Sequence, residues 1–307
     1  MPGAGTPAAV LCLGETMAQV GPVDGLPLED SRELRLAVAG AESTVAQYLA
    51  DLGHRAAWVS RVGDDPFGRR IVRVVGARGV DVSGVEVDSG ARTGVYFKDP
   101  GPDGTRVHYY RAGSAASRMS VADADRVHLR GIRLLHLTGI TPALSEGCGA
   151  LVRTLIARAR DSGTLVSFDV NYRPALWTSA RQAADSLQEL ADLADLVLVG
   201  RDEAEVLWGT PDADAVRRHL RPGRASTLVV KDGGVGATEF GPDGTHFVAA
   251  PVVDVVEAVG AGDAFAAGYL SGLLNGAGPR DRLALGHRLA GRTLLSVEDY
   301  VPVTERG

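Results

Sequence analysis

Along the chain, short apolar runs alternate with longer stretches in which apolar residues recur every three or four positions. "AAVLCLG", "AAWVSRVG", "RLLHLTG", "TLVSFDV", "ADLVLVG" and "STLVVKDGG" each read as a buried strand ending near a Gly, Asp or Lys. Between them lie "AESTVAQYLADLG", "PFGRRIVRVVGARG", "SEGCGALVRTLIARARDSG" and "SARQAADSLQELADLAD", with the spacing of amphipathic helices. Three of these four close on a glycine. Such alternation predicts an α/β fold with a mostly parallel central sheet covered by helices on both faces. Ligands of such sheets gather at the carboxyl ends of the strands, which is where the Gly, Asp and Lys residues fall.

Two regions break the alternation, residues 20–38 and 92–111. The second, "RTGVYFKDPGPDGTRVHYYR", reads as a hairpin around a Pro/Asp/Gly turn. Together they predict a small accessory sheet carried by a single domain over 1–307. "GATEFGPDGTHFVAA" is a further hairpin late in the chain. There is no internal repeat, low-complexity tract or linker.

The composition, 45% hydrophobic and 23% charged over 307 residues, is that of a globular protein. A formal net charge of −6 argues against nucleic acid or an anionic membrane surface as the main partner. The two cysteines, Cys12 and Cys148, have no metal-type spacing and imply no disulfide framework. The N-terminal stretch lacks a basic region followed by a long apolar one, and no run reaches the ~18 apolar residues of a membrane span. A cytoplasmic location is the expectation. Only Lys98 and Lys231 are lysines, so 30 of the 32 basic residues are arginine and a lone arginine is weak evidence of a site.

The chemistry concentrates in "EAVGAGDAFAAGYLSGLL", residues 257–274, where Gly260-Ala261-Gly262-Asp263 opens an apolar helix. One reading is a tight turn with Asp263 as N-cap. A dinucleotide fingerprint is excluded because the glycine spacing is wrong, and a P-loop because no GxxxxGK[ST] is present. The other reading is an anion hole: unpaired amides at a helix N-terminus hold a transferring phosphate while Asp263 takes a proton from the attacking alcohol.

Taken with "AGAESTVAQYLADLG…VSRVGDDPFG" upstream and the Gly-rich loop "KDGGVGATEF", this segment resembles the PfkB (ribokinase-like) family of sugar and nucleoside kinases over essentially the whole chain. The resemblance implies a ribokinase-like fold in which the accessory strands form a lid over the sugar and can pair lids in a homo-oligomer. It implies ATP and Mg2+ as cofactors. Asp263 becomes the general base, and Gly260, Ala261 and Gly262 the anion hole. The nucleotide falls to Lys231, Asp232, Gly233, Gly234, Val235 and Gly236, with His287 beside the adenine. Glu203 would act on the metal through water. The chain departs from the family pattern at Glu257-Ala258 (usually Asp-Thr), at Thr44 and His287 (often Asn), and before Glu203, where an asparagine is missing.

"SFDVNYRPALW", residues 167–177, resembles the "DxNYRPxLW" segment of 2-keto-3-deoxygluconate kinases within this family, and "VHYYRAGSAAS" resembles their hairpin. By that resemblance Arg111 and Arg173 bind the carboxylate of a sugar acid through a planar paired fork. Tyr96 and Tyr109 pack around the substrate, Gly40 and the Ile140 backbone line its pocket, and Asp299 contacts it near the catalytic loop. The rival readings are a fructokinase or another neutral-sugar kinase of the family, and a non-catalytic sugar- or nucleotide-binding regulator.

Overall fold

The computed structural model describes residues 9–102, 104–220 and 227–303. The N-terminal stretch 1–8, Asp103 of the predicted hairpin turn and Ser226 at the head of a predicted strand lie outside the described residues.

The first half of the chain forms β1 (Val10–Leu13), β2 (Met17–Pro22), β3 (Leu34–Ala39), α1 (Ala41–Asp51), β4 (Ala56–Gly63), α2 (Pro66–Ala77) and β5 (Val85–Asp88). Next come β6 (Val95–Asp99), β7 (Arg106–Tyr110), β8 (Leu134–Thr138), α3 (Ile140–Ala143), α4 (Glu146–Ser162) and β9 (Leu165–Asp169). The remainder holds α5 (Ala180–Leu193), β10 (Leu196–Gly200), α6 (Arg201–Trp208), α7 (Ala213–His219) and β11 (Thr227–Asp232). β12 (Gly236–Gly241), β13 (Gly244–Ala249), α8 (Ala261–Leu274) and α9 (Pro279–Leu294) complete it.

Among the described residues, nine strands make the central sheet in the order β13-β12-β11-β10-β9-β8-β1-β4-β5. Seven of them run parallel, and the late hairpin β12–β13 adds two antiparallel strands at one edge. Successive side chains of a strand point to opposite faces, and β1 shows the consequence. Val10 and Cys12 join the cluster formed with α1 and α8, through Val45, Leu49, Ala266 and Leu270. Leu11 and Leu13 join the opposite cluster with Leu151 and Leu155 of α4. Both faces are covered, which is why the central strands read as unbroken apolar runs.

Local chemistry fixes the helix ends. Ser145 and Ser179 accept the amides of Cys148 and Gln182 at the starts of α4 and α5, and Asp65 accepts that of Gly68 beneath Pro66. The second sheet has the order β3-β2-β6-β7, with β2 and β6 parallel. Its first strand begins at Met17, three residues before the predicted start of the lid at 20, because Met17 and Ala39 pack with Tyr96 and Val107 beneath it. The edge strand β5, half exposed and only four residues long, carried no sequence signal. Among the described residues no helix is long and apolar enough to cross a membrane.

Candidate active site

The carboxyl ends of β8, β9, β10 and β11, the mouth of α8 and the inner face of the lid surround one cavity of about 610 Å³. Tyr96, Tyr109 and Arg111 reach it from the lid side, and Gly40 from the start of α1. Ile140, Arg173, Glu203, Lys231 and Gly233 reach it from the strand ends. Gly260, Gly262, Asp263 and Asp299 close it.

Several expected nucleotide residues lie off this surface. Asp232 turns away to accept from Arg201 Nε at 2.8 Å. Gly236 opens β12 opposite Ala249 of β13, and a Cβ there would come within 2.4 Å of Val248 O, so it is part of the sheet. Gly234 and Val235 sit in the β11–β12 turn outside the cavity lining, and Ala261 lies between two lining glycines. His287 is buried in α9, its Nε2 paired with Val248 O at 3.0 Å and its ring edge-on to Phe265. Burial pushes its pKa down. That nitrogen is spent inside the protein.

The mouth of α8 is built around a glycine. Gly260 has φ +86°, and a Cβ there would come within 2.4 Å of Asp299 O. Gly260 is also the N-cap, so Asp263 is the third residue of the helix and not its cap. The first-turn amides of a helix have no intrahelical acceptor; that of Ala261 donates back to Ala258 O at 3.4 Å, while Gly260, Gly262 and Asp263 line the cavity. A Cβ at Gly262 would meet nothing nearer than Lys231 Nζ at 3.9 Å, and Gly233 and Gly234 front open space. Bare amides beside an ammonium, with room for atoms, fit a polyphosphate. Among the described residues no group of three or more His, Cys, Asp or Glu could hold a metal ion by itself. Magnesium suits such a site, because it is commonly held by phosphates with one or two carboxylates and water.

Asp263 is half-buried, and its carboxyl is pushed up to about 7. Burial is the main cause and the charge of Asp169 the next, with Arg173 and Lys231 pulling the other way. Asn171 Nδ2 lies 3.4 Å from Asp263 Oδ1. Lys231 Nζ donates to Asp169 at 2.8 and 3.1 Å. Burial lowers the lysine's pKa, but Asp169 and Glu203 outweigh it and leave it raised. Glu203 accepts the amides of Tyr172 and Gly200 at 3.0 and 2.9 Å, and burial raises its pKa despite Lys231. Asp169 and Asn171 were not singled out from sequence. Asp169 ends a predicted strand, and that position was the available signal.

On the substrate side the two arginines part company. Arg173 is exposed to the cavity; its carbonyl accepts from the Leu176 amide at 3.0 Å, and its guanidinium has no hydrogen-bond or ion-pair partner among the described residues. Arg111, expected to bind the substrate acid, is buried and its fork already holds Glu15: Nε donates to Oε2 at 2.7 Å and the terminal nitrogen pairs with the same oxygen. Ser114 Oγ donates to the other oxygen of Glu15. Tyr96 and Tyr109 rings lie 5.7 Å apart, and Tyr96 OH donates to Asp299 at 2.8 Å. The Ile140 amide is engaged by Thr138 Oγ1, which itself donates to Glu42 Oε1. Glu42 is fully buried, its Oε2 unpartnered among the described residues and tucked where a Cβ on Gly14 would lie 2.0 Å from the carboxyl carbon. Burial raises its pKa to about 7. Neither Glu15 nor Glu42 was found from sequence, since each reads there as an ordinary polar residue next to a glycine or alanine.

Residues 8–305 match the sequence profile of the "pfkB family carbohydrate kinase" family. The chain is 36% identical over 281 residues to a 2-dehydro-3-deoxygluconokinase of Thermoproteus tenax, covering 90% of this chain and 85% of that one. It is 36% identical to a 2-dehydro-3-deoxygalactonokinase of Haloferax volcanii (91% and 88% covered) and 33% identical to a fructokinase of Oryza sativa (87% and 83%). Among solved structures, that of a PfkB protein from Polaromonas sp. JS666 superposes with a TM-score of 0.86 at 36% identity, covering 95% of this chain and 97% of that one.

Proposed function

Since the chain belongs to the pfkB family of carbohydrate kinases and is a sugar kinase, we propose that it phosphorylates the terminal hydroxyl of 2-keto-3-deoxy-D-gluconate. The observation that carries the choice of substrate is Arg173, a guanidinium without a partner among the described residues, in the same cavity as Asp263. A sugar acid gives that cation a carboxylate to pair with; a neutral sugar does not.

Bound ATP supplies the phosphoryl group, with Mg2+ offsetting phosphate charge. Asp263 accepts the proton of the attacking hydroxyl, and its raised pKa keeps it basic enough for that role near neutrality. The amides of Gly260 to Gly262 and the Lys231 ammonium stabilise charge on the moving group, where preorganised donors count most. Glu203 would help hold Mg2+ through water, Gly233 borders the nucleotide, and Tyr96, Tyr109, Gly40 and Ile140 wall the sugar. Lid residues over the cavity exclude water that would compete for the phosphoryl group.

The test is coupled ADP release with ATP and magnesium, comparing 2-keto-3-deoxygluconate, its galactonate epimer, fructose and ribose. The expected preference for a keto acid over fructose is about 100-fold or more in kcat/KM, the value of a charged pair lost from a desolvated site. A fructose preference would keep Asp263 as base and remove the acid-binding role of Arg173. No turnover with any sugar, despite ligand-induced thermal stabilisation, would favour a silent binding protein.

A further inference from the structure

Three segments of the site meet at one ammonium that the chemistry above does not use. Lys98, on β6 of the lid, is one of only two lysines and is 6% exposed. Its Nζ donates to Asp299 Oδ1 at 2.5 Å and lies 3.9 Å from Glu257 Oε2. It does not line the cavity, so it acts through its neighbours.

Each neighbour touches the anion hole. The Asp299 backbone is the surface against which Gly260 packs, leaving no room for a side chain there. Glu257 stands three residues before Gly260, and its Oε1 accepts the amides of Ala258 and Val259 at 2.9 and 3.3 Å. That carboxylate shapes the turn leading into α8. Its Oε2 accepts from Thr105 Oγ1, between β6 and β7, at 3.2 Å. Two shielded carboxylates from separate segments repel each other unless a cation sits between them, and Lys98 is that cation.

We infer that Lys98 is a positioning residue for phosphoryl transfer: with Thr105 it ties the lid to the Glu257 turn and the Asp299 backbone, and so holds the Gly260–Gly262 amides in place. The inference rests on the reading of those amides as the anion hole.

The experiment is steady-state kinetics of Lys98→Ala with and without small alkylammonium ions. Truncation leaves a hole facing two carboxylates, of a size for n-propylammonium and too narrow for tetramethylammonium. The expected result is a fall in kcat of about 30-fold with the sugar KM changed less than about threefold, the pattern of an interaction realised in the transition state. Propylammonium restores about tenfold; tetramethylammonium at the same ionic strength restores nothing, and the wild type responds to neither. A near-normal kcat, or a loss in folded protein that propylammonium leaves untouched, would overturn the role. Should Lys98→Ala not fold, Thr105→Val cuts the same tie without exposing a buried charge. It should lower kcat several-fold at constant KM, and an unchanged kcat would count against the tie. A wild-type chain that turns over no sugar would instead remove the kinase reading beneath both.

Discussion

Asn171 aims its amide at Asp263, with Nδ2 3.4 Å from Oδ1. It is the one non-glycine residue with positive φ among those described, at +38°. Asparagine tolerates that region better than most residues, and the turn comes directly after β9, where Asp169 is already committed to Lys231. The strand end therefore does two things: it fixes the ammonium, and it places an amide donor beside one oxygen of Asp263, a residue that lines the cavity.

Asn171→Gly keeps the backbone free to turn and deletes only the amide. The melting temperature should stay within a few degrees, while kcat falls by about tenfold or more. Asn171→Val forces a β-branched residue to positive φ and should lose about 1–3 kcal/mol of stability. Thermal denaturation beside steady-state kinetics separates the two, and wild-type kcat in Asn171→Gly would show that the amide does not orient Asp263 for the proposed proton transfer.

Asp263→Asn should lower kcat by about 10²–10⁴ while leaving sugar affinity within a few-fold. In the wild type, kcat/KM should rise with pH through about 7, where the carboxyl releases its proton. Asp169→Asn removes the negative charge that helps raise it and leaves Lys231 without its partner. The inflection should then move to lower pH. A pH–rate profile that keeps its inflection in Asp169→Asn would separate the titration from Asp263.

The two arginines should fail differently. Arg173→Ala should weaken kcat/KM for the keto acid by about 100-fold and for fructose hardly at all. Arg111→Ala should instead unfold more easily, by about 3–5 kcal/mol, because it strands the Glu15 carboxylate, whose side chain is 1% exposed. Urea denaturation and substrate kinetics on both variants settle the assignment; equal substrate selectivity in Arg173→Ala and wild type would make Arg173 structural.

How far the sequence reached follows from what it records. Apolar runs buried on both faces, such as β1, announce themselves, and Gly260-Ala261-Gly262-Asp263 stands out because its spacing is both local and unusual. What stays hidden is partnership between distant residues. Arg111 and Arg173 look alike as letters, yet Glu15 lies 96 residues from Arg111 and reaches it only after the lid folds back over β1. The Lys98–Asp299 contact spans 201 residues and leaves no periodic trace. His287 fell at a plausible place along the chain but faces β13, because the packing of α9 on the late hairpin decides its direction.

Glu42 offers a test of burial apart from catalysis. Burial raises its pKa from the usual 4.5 to about 7, against the hydroxyl donors Thr138 and Thr141 on Oε1. Between those values the folded chain keeps a proton that the unfolded chain has released. The group's stabilising contribution is therefore whole below pH 4.5 and is lost as pH rises through 7. His136, buried and held to about 4, acts in the opposite sense between about 4 and 6.5, so the wild-type pH profile mixes the two. Comparison with Glu42→Gln isolates the carboxyl: the amide keeps an oxygen for both threonines and has no proton to lose. Relative to wild type, Glu42→Gln should gain about 2–3 kcal/mol between pH 5 and pH 8, read as the difference in urea unfolding at the two values. An equal difference at both would mean that Glu42 is ionised in the fold throughout, and that the space behind Gly14 stabilises a charge that burial alone would reject.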